Sequence, residues 1–367
     1  MRSMPKKVLM LLSNPFLPDP RVDKEAKALG QVGNDVTVLA WDRKGGLAPT
    51  FQGDGFRVVR VPTRLSKGRF FLGLPIFSIK VIWKGLRSDF QIVHAHDFDT
   101  LPQAALLSKL KGARLVYDSH EHYAKMIMLD MPAWVANTID GWETRLIGRA
   151  DLIIAANDYV MDHLSPGVRG QKAVVMNCVD LPPKPSNRLV RERLVLFYGG
   201  ALEPGRYVLE LLDAVKKEEG CQLRIAGRGR YEPQVREAAQ QCPRITFLGY
   251  VDQAVIMRET SSADAVVSLL DPSNENYRIA TPVKLLEAMA VGVPVITTKG
   301  TLTAKIVEEE GCGFALNWSQ EAFILALSRL RDQASWSLMS MNARKAAEEK
   351  YNWKVMRERL LRAYEVL

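Results

Sequence analysis

Short apolar runs alternate with amphipathic segments along the first half of the chain. The apolar runs lack polar alternation, which predicts strands buried on both faces at residues 7–13, 35–40, 56–61, 91–95, 114–118, 152–156 and 173–176. Apolar positions at helical spacing predict helices over residues 21–31, 72–87 and 100–110. Strands that alternate with helices in this way predict an α/β domain with a parallel sheet covered on both faces.

A second alternating series follows a proline-rich break. Residues 181–193 contain three prolines and end in a charged stretch, which is typical of a linker. Beyond this segment, apolar runs predict strands at 194–198, 222–226, 245–248, 265–269, 293–297 and 313–316, and an amphipathic helix starts at residue 353. The pattern therefore predicts two α/β domains in tandem, with a ligand in the cleft that both face.

Composition excludes several classes of protein. The 367 residues are 47% hydrophobic and 25% charged, as in a folded globular chain. No apolar run approaches the roughly 18 residues of a membrane span, and the early run at residues 8–12 is too short for a signal peptide. The four cysteines form no CxxC pair, which excludes a disulfide scaffold and argues against a zinc site. We expect a cytoplasmic protein.

The net charge of +9 is uneven. Residues 1–187 hold 25 Lys and Arg against 18 Asp and Glu, whereas residues 188–367 hold 25 against 23. A basic first half indicates an anionic partner, such as a phosphorylated substrate, a nucleic acid or a membrane surface.

The segment 197–206 (FYGGALEPGR) joins a predicted strand to a helix through a double glycine. Glycines let the backbone approach a phosphate, and the start of the helix supplies free N–H groups. Arg206 could reach the same anion. The alternative is a tight turn with a solvent-exposed arginine.

A second candidate is the helix at the start of residues 282–296. Lys284 and Glu287 are three residues apart and share one face of this helix. Lys284 can meet a phosphate while Glu287 accepts hydrogen bonds from sugar hydroxyls. The alternative is an exposed salt bridge between the two side chains.

Four of the five histidines follow two predicted strands, in HAHDFDT at 94–100 and YDSHEH at 117–122. Ligands bind at the carboxyl ends of parallel strands, where imidazoles and carboxylates can transfer protons or bind sugar hydroxyls. The alternatives are a metal site and satisfied core histidines. We disfavour the metal site because the glycine turn elsewhere already explains an anion site.

Two further segments are ambiguous. Gly227 and Gly229 resemble the start of a dinucleotide fingerprint, but Glu232 replaces the third glycine, so we reject a nicotinamide site. Residues 64–87 hold six basic and no acidic residues among many apolar ones, with Lys80, Lys84 and Arg87 on one helical stripe. This pattern favours a helix on an anionic membrane, and the alternative is a packed helix with a basic edge.

Together these segments resemble the GT-B glycosyltransferases of family 4, which are retaining and nucleotide-sugar-dependent, over nearly the whole chain. The first loop and helix (SNPFLPDPRVDKEA, 13–26), the strand ends at 94–97 and 116–121 and the loop at 199–206 match family motifs. The most specific match is EAMAVGVPVI, residues 287–296. The resemblance implies an acceptor domain (residues 1–185 with the terminal helix 352–367, which crosses back) and a donor domain (186–351), both Rossmann-like.

The resemblance also implies roles for individual residues. Glu287 would bind the donor ribose. The remaining donor-binding residues would be Gly199, Gly200, Arg206, Lys284, Tyr250 and Val251, the last two beside the nucleobase. His120 would lie beside the reacting centre, with His96 and Asp97 on sugar hydroxyls, and the loop with Asp19 and Arg21 would face the acceptor.

The chain departs from the family pattern at two positions. A family glutamate is replaced by Ile279, so backbone or Asn276 would have to contact the donor sugar, and a family arginine is replaced by Gly200. The resemblance implies no cofactor and no obligatory metal, because Arg206 and Lys284 take that place, and domain closure would exclude water from the reaction.

The expected partners are a nucleotide-sugar donor, a glycan or lipid-linked acceptor and an anionic membrane surface contacted by residues 64–87 on the inner face of the plasma membrane. A nucleotide-sugar epimerase of the same fold is one alternative. A non-catalytic nucleic-acid-binding protein is another, but the basic residues do not alternate with exposed aromatics on a recognisable fold, so we expect no nucleic acid.

Overall fold

A computed structural model describes residues 5–17, 19–64, 70–127, 131–183 and 191–367. The chain divides into two compact units. Unit 1 consists of the described residues up to Met176 together with Met356–Leu367, and unit 2 is Asn177–Val355. Each unit is a sheet of mainly parallel strands with helices, as the sequence predicts.

Unit 1 contains an eight-stranded sheet in the order β3-β4-β2-β1-β5-β6-β7-β8. Only the β3–β4 pair is antiparallel among its described pairings. The strands are β1 Lys7–Leu12, β2 Asp35–Asp42, β3 Thr50–Gln52, β4 Phe56–Pro62, β5 Ile92–His96, β6 Arg114–Ser119, β7 Leu152–Ala155 and β8 Gln171–Val174.

The helices of unit 1 follow the strands in the chain. They are α1 Pro20–Gln31, α2 Phe70–Arg87, α3 Leu101–Lys111, α4 Tyr123–Ile127, α5 Ala133–Ile147 and α6 Asp158–Leu164, with a 3₁₀ turn at Ser165–Gly167. Among the helices that the structure describes, none combines the length and apolar character that a bilayer crossing requires.

Unit 2 contains a six-stranded parallel sheet in the order β11-β10-β9-β12-β13-β14. Its strands are β9 Leu194–Gly199, β10 Cys221–Ala226, β11 Ile245–Phe247, β12 Ala265–Ser268, β13 Val295–Thr298 and β14 Gly313–Leu316. Its helices are α7 Val208–Lys217, α8 Glu232–Gln241, α9 Gln253–Ser262, α10 Glu275–Ile279, α11 Val283–Ala290, α12 Leu302–Glu309, α13 Gln320–Leu330 and α14 Gln333–Glu349.

The last helix, α15 (Trp353–Glu365), returns the chain to unit 1. Met356, Leu360 and Tyr364 recur every fourth residue and are buried, which makes a continuous apolar stripe on one face of the helix. The Tyr364 hydroxyl lies 2.6 Å from His94 Nδ1. The C-terminal helix is thereby attached to a residue of the predicted site.

The units divide between Met176 and Asn177, nine residues before the expected domain boundary at 185. The described residues just after Met176 are held by unit 2, because Arg344 donates to the Pro182 carbonyl at 3.0 Å and Trp353 N donates to the Val179 carbonyl at 3.0 Å. Residues 184–190 of the predicted linker lie outside the described residues.

Candidate active site

The carboxyl ends of β5 and β6 carry a buried group of ionisable side chains, which we call the histidine–carboxylate cluster. It consists of Arg21, Glu25, His94, His96, Asp97, Asp118 and His120. β5 and β6 are paired with His96 opposite Asp118, so their polar ends meet at one edge of the sheet. The three predicted catalytic residues, His96, Asp97 and His120, are therefore brought together.

Asp118 is the centre of the cluster. Its carboxylate accepts two hydrogen bonds from the Arg21 guanidinium, from Nε at 2.9 Å and from Nη2 at 2.5 Å. Its Oδ2 also lies 3.1 Å from His96 Nδ1 and 2.9 Å from His120 Nε2. Burial by itself would raise the pKa of Asp118, but Arg21 and His120 outweigh it and hold that pKa well below its usual range.

His120 lies between two carboxylates. Its Nε2 is 2.9 Å from Asp118 and its Nδ1 is 3.2 Å from Asp97 Oδ2. Burial would lower the pKa of His120, yet Asp97 and Asp118 outweigh it and raise that pKa to about 9. At neutral pH His120 is consequently an imidazolium that donates from Nε2 to Asp118 and forms an ion pair with Asp97, and it is not available as a general base.

The other two histidines of the cluster, His94 and His96, are neutral. Burial lowers the pKa of His94 and of His96, although Asp118 opposes this in both cases. A neutral His96 that donates Nδ1–H to Asp118 keeps a lone pair on Nε2, and this buried nitrogen has no hydrogen-bond partner among the described residues. His96 can therefore accept a hydrogen bond from a sugar hydroxyl.

Asp97 presents the exposed carboxylate of the cluster, with 30% of its side chain accessible. Its backbone is left-handed, with φ at 60°, which costs a non-glycine residue about 1 kcal/mol. Asp97 N donates to the Asp118 carbonyl at 2.9 Å and Asp97 Oδ1 accepts from His120 N at 3.0 Å. These bonds hold the carboxylate beside the His120 ring.

The predicted acceptor residues are placed differently from expectation. Asp19 caps α1, since its side chain accepts from Arg21 N and Val22 N at 3.2 Å each. Arg21 lies in the first turn of α1 rather than in a loop, and its guanidinium is buried against Asp118. Arg21 also donates to the Val175 carbonyl at 2.6 Å. We therefore correct the assignment of Arg21: its side chain holds Asp118 instead of facing an acceptor.

Unit 2 carries the second group, which we call the cation pocket: Gly200, Arg206 and Lys284 with the rings of Tyr198 and Tyr277. Lys284 Nζ lies 3.8 Å from the Tyr198 ring centroid, and a Cβ on Gly200 would lie 3.9 Å from Lys284 Nζ. The Arg206 guanidinium lies 5.2 Å from the Tyr277 ring centroid. Neither Lys284 Nζ nor Arg206 Nε, both buried, has a hydrogen-bond partner within the part of the chain that the structure describes.

Two positive groups without hydrogen-bonding acceptors indicate a site for an anion. Burial, aided by Arg206 and opposed by Glu287, lowers the pKa of Lys284 to about 7. A diphosphate in this pocket would raise that pKa again, because a nearby negative charge favours the ammonium form. The sequence also allowed Arg206 to be a solvent-exposed turn residue. The burial of its Nε argues against that alternative.

Glu287 is buried on α11, and its Oε1 accepts from Gln253 Nε2 at 2.6 Å. Lys284 is buried too, so the alternative of an exposed salt bridge between Lys284 and Glu287 is wrong. Gln253, the first residue of α9, orients the carboxylate of Glu287. No sequence pattern singles out this glutamine, because only the packing of α9 against α11 brings it there.

The glycines after β9 and β10 are required by packing. A Cβ on Gly227 would lie 1.8 Å from the Gly200 carbonyl oxygen, and one on Gly229 would lie 2.4 Å from the Leu202 carbonyl oxygen. The two loops approach each other so closely that only glycine fits. This packing explains the fingerprint-like pair without a dinucleotide.

The remaining predicted donor residues are Gly199, Tyr250 and Val251, and they differ in how far they are exposed to solvent. Gly199 ends β9 and is buried against Phe197 and Ile256. Tyr250 is 68% exposed and the Arg228 guanidinium lies 4.1 Å from its ring centroid, while Val251 follows it in the loop before α9. Ile279 is buried at the end of α10.

Helix α2 has features of both interpretations of residues 64–87, the helix on a membrane surface and the packed helix with a basic edge. Residues 65–69 lie outside the described residues. One face packs on the core through Phe77 and Val81. The opposite face exposes four apolar side chains beside Lys80, Lys84 and Arg87: Ile76, Ile79, Trp83 and Leu86. The Arg87 guanidinium lies 3.4 Å from the Trp83 ring centroid. The outward face is thus apolar with basic edges.

Sequence reasoning missed three members of the site. Glu25 is one helical turn from Arg21 and shares the apolar face of α1 with Val22 and Leu29, but the sequence analysis gave it no role. Asp118 lay inside a motif that we noted, without a role of its own. Tyr364 comes from the far end of the chain. His122, in contrast, does not join the cluster but stacks on His163, with 3.7 Å between ring centroids.

Two family models match the chain. Glycosyltransferase Family 4 matches residues 21–181, and Glycosyl transferases group 1 matches residues 192–333. The matched ranges cover most of both units and include the histidine–carboxylate cluster and the cation pocket. β1, nearly all of α14 and α15 lie outside them.

Curated relatives match over nearly the full length. The phosphatidyl-myo-inositol mannosyltransferase of Mycobacterium leprae is 25% identical over 352 residues, covering 93% of this chain and 91% of the relative. The GDP-mannose:glycolipid 4-beta-D-mannosyltransferase of Xanthomonas campestris is 31% identical over 145 residues, covering 38% of this chain and 40% of that protein.

Solved structures share the fold. Sucrose-phosphate synthase from Thermosynechococcus elongatus superposes with a TM-score of 0.81 at 18% identity, covering 98% of this chain and 99% of that one. Anabaena HepE in complex with UDP and glucose gives 0.72 at 18% identity, covering 99% and 100%. The two parallel-sheet units therefore have the GT-B fold that the sequence predicts.

Proposed function

The chain belongs to glycosyltransferase family 4, and we propose that this hexosyltransferase moves a sugar from a nucleoside diphosphate to a lipid-linked acceptor at an anionic membrane surface. In such a transfer the bond from the anomeric carbon to the diphosphate oxygen breaks. A bond from that carbon to an acceptor hydroxyl oxygen forms, and the hydroxyl proton leaves with the diphosphate or to solvent. Neither the epimerase nor the nucleic-acid-binding alternative is favoured, since both halves match transferase models.

The observation that carries the donor proposal is the cation pocket. Lys284 Nζ, which lies close to Gly200, and Arg206 Nε are both buried without acceptors among the described residues, and Glu287 lies one turn further along α11 than Lys284. A diphosphate satisfies both cations, and the charge that grows on it during bond cleavage is stabilised most by groups already in place. We propose that these side chains replace a metal ion at the leaving group and that Glu287 accepts from the ribose.

On unit 1 we propose that Asp97 and His96 bind hydroxyls of the transferred sugar. The partly exposed Asp97 carboxylate and the unpartnered His96 Nε2 are suitable acceptors. His120 is a buried cation held by Asp97 and Asp118, so its part is electrostatic and orienting. We propose transfer with retention, as the family resemblance implies.

The relatives favour a first candidate for the donor and the acceptor. Those matched over most of their length are named phosphatidyl-myo-inositol mannosyltransferases, and a partial match is named as using GDP-mannose on a glycolipid. We therefore propose mannose as the sugar and a phosphatidylinositol or glycolipid as the acceptor, on the cytoplasmic face of the membrane.

The experiment that tests this function uses the full chain. GDP-mannose, UDP-glucose and ADP-glucose are each added with phosphatidylinositol-containing vesicles, and sugar in the lipid phase is measured together with the thermal midpoint. We expect one nucleotide sugar both to raise the midpoint and to label lipid. Epimerised nucleotide sugar in a reaction without vesicles would contradict transfer, and so would the absence of any stabilising nucleotide.

Membrane docking through α2 has its own test. We expect the double substitution Ile79→Ser with Trp83→Ser to abolish sedimentation with anionic vesicles, because these are the two most exposed apolar side chains among those of the helix that the structure describes. Replacing Lys84 and Arg87 by Glu should also abolish it, through repulsion of anionic lipid. Leu325→Ser, at a 63% exposed leucine of unit 2, is the matched control. Sedimentation that survives both α2 variants would mean that α2 is an ordinary packed helix.

A further inference from the structure

Three side chains of unit 1, none of them in the histidine–carboxylate cluster, converge on a second polar group. They are His122 from the segment after β6, Asp140 from α5 and His163 from α6. One potential ligand atom from each lies within 4.8 Å of the others. His163 Nε2 is 3.0 Å from Asp140 Oδ1, and the His122 ring stacks on the His163 ring.

This group is incompletely satisfied within the protein. His122 is 5% exposed, and its Nδ1 is buried without a hydrogen-bond partner among the residues that the structure describes. A buried ring nitrogen without a partner costs free energy, and such nitrogens require a ligand or a functional reason. The His163 and Asp140 side chains are 30% and 35% exposed, so the group is open to solvent on one side.

We propose that His122, Asp140 and His163 form a binding site for a divalent transition metal ion, with zinc as the best match. Two imidazoles and one carboxylate are a ligand set that zinc takes up, with water in the fourth position. Zinc ligands at about 2.0–2.1 Å from the ion lie roughly 3.3 Å apart, and here the three potential ligand atoms lie within 4.8 Å of one another. Calcium and magnesium prefer oxygen ligands and fit the pair of imidazoles poorly.

A second group of potential ligands, Glu25, His94, His96 and Asp118, is a poorer metal site. Arg21 already holds Asp118 through two hydrogen bonds, and Tyr364 holds His94. A dication there would lie beside the Arg21 guanidinium. Of the two groups, we therefore assign the metal to His122, Asp140 and His163.

The position of the site gives it a consequence for the enzyme. His122 is two residues beyond His120 in the same segment, whereas Asp140 and His163 lie on two helices. A metal bound to all three ties the segment that carries His120 to α5 and α6. The ion would order this segment of unit 1. None of the metal ligands belongs to the cation pocket of unit 2.

The test titrates the full-length protein with zinc chloride in competition with a chromophoric chelator. We expect saturable binding of one equivalent, and Asp140→Asn and His163→Asn should each weaken it at least about tenfold. Both residues are partly exposed, so both variants should fold, which circular dichroism checks. Asp162→Asn, which removes an exposed carboxylate next to His163, and Glu25→Gln, in the other group, are controls that should bind as the wild type does.

Cobalt(II) provides a second readout, because its visible spectrum reports nitrogen and oxygen ligands directly. We expect a cobalt spectrum in the wild type that Asp140→Asn and His163→Asn both lose. The proposal is overturned if zinc shows no saturable binding, or if both variants bind it as tightly as the wild type. It is also overturned if Glu25→Gln alone removes the binding.

Discussion

We expect Lys284→Met to lower transferase activity by about 10²–10³-fold and at the same time to raise the free energy of unfolding by about 1–3 kcal/mol at pH 6. The two effects have one cause. In the empty pocket the ammonium group is buried, beside Arg206 and without an acceptor, so the folded protein bears the cost of desolvating it. Methionine removes that cost and also removes the charge that binds the leaving diphosphate.

The pH dependence distinguishes this explanation from a simple gain in packing. Free lysine keeps its proton to about pH 10.5, whereas burial lowers the pKa of Lys284 to about 7 in the fold. Between these values the unfolded chain binds one more proton than the folded chain, so this residue makes stability rise with pH from about 7 to 10.5. Lys284→Met should lack that rise.

The measurements are urea unfolding, calorimetric affinity and turnover. Lys299→Met, at an exposed lysine at the end of β13, is the matched control and should change none of them. Glu287→Ala separates the two parts of the pocket: it should weaken a nucleoside diphosphate but not inorganic pyrophosphate, whereas Lys284→Met should weaken both. A Lys284→Met protein with unchanged pyrophosphate affinity would remove Lys284 from the diphosphate site.

Asp118→Asn should destabilise the protein by about 3–5 kcal/mol and abolish activity. The substitution leaves the Arg21 guanidinium buried without the carboxylate that accepts its two hydrogen bonds. It also removes one of the two carboxylates that hold His120 as an imidazolium. Loss of the Asp118 carboxylate is therefore expected to lower both stability and activity.

Glu25→Gln is the matched comparison, because Glu25 also contacts Arg21, at 3.2 Å. Burial and the Asp118 charge, opposed by Arg21, raise the pKa of Glu25 to about 8, so its carboxyl is mainly neutral at pH 7. Glutamine resembles that neutral form, and we expect a change in unfolding free energy below about 1 kcal/mol. Equal destabilisation by the two substitutions would show that Glu25 is charged.

The contribution of Glu25 to the free energy of unfolding depends on pH, and the raised pKa fixes the sign of that dependence. Between the ordinary glutamate pKa of 4.5 and the raised pKa of about 8, the folded chain binds one more proton than the unfolded chain. Glu25 therefore makes stability fall as pH rises through this window, and Glu25→Gln should remove that fall. Urea unfolding at pH 5 and pH 8 measures it.

Most of the scaffold could be predicted from the order of residues. The predicted strand at residues 7–13 is β1 (Lys7–Leu12), buried from Val8 onward. Gly112 ends α3 in the left-handed conformation that glycine allows, and Pro20 begins α1 after an aspartate cap. The short antiparallel strand β3 and helices α4, α5 and α6 were missed. β3 is fully exposed, and α5 carries exposed Trp134 and Trp142, so neither shows the apolar periodicity that marks a buried face.

The sequence also singled out segments whose polar side chains the structure brings together at the ends of β5 and β6, but it misjudged some side chains within them. Arg21 was assigned to the acceptor, yet it is buried beneath Asp118. Four histidines in two motifs were treated as one group, yet His122 points to a different partner from His120. Neighbours in sequence separate here because their side chains leave the strand end in different directions.

What the sequence determined by itself is therefore local: buried strands, capped helices and the positions of glycine, lysine and glutamate that mark a diphosphate loop and a donor helix. The tertiary structure decided which charges meet. Arg21 and Asp118 are 97 residues apart, His94 and Tyr364 are 270 apart, and Gln253 and Glu287 are 34 apart. Ionisation depends on burial and on the nearest charges, and both arise only when distant segments pack. For that reason a protonated His120 and a Lys284 with its pKa lowered to about 7 could not be predicted from the chain order.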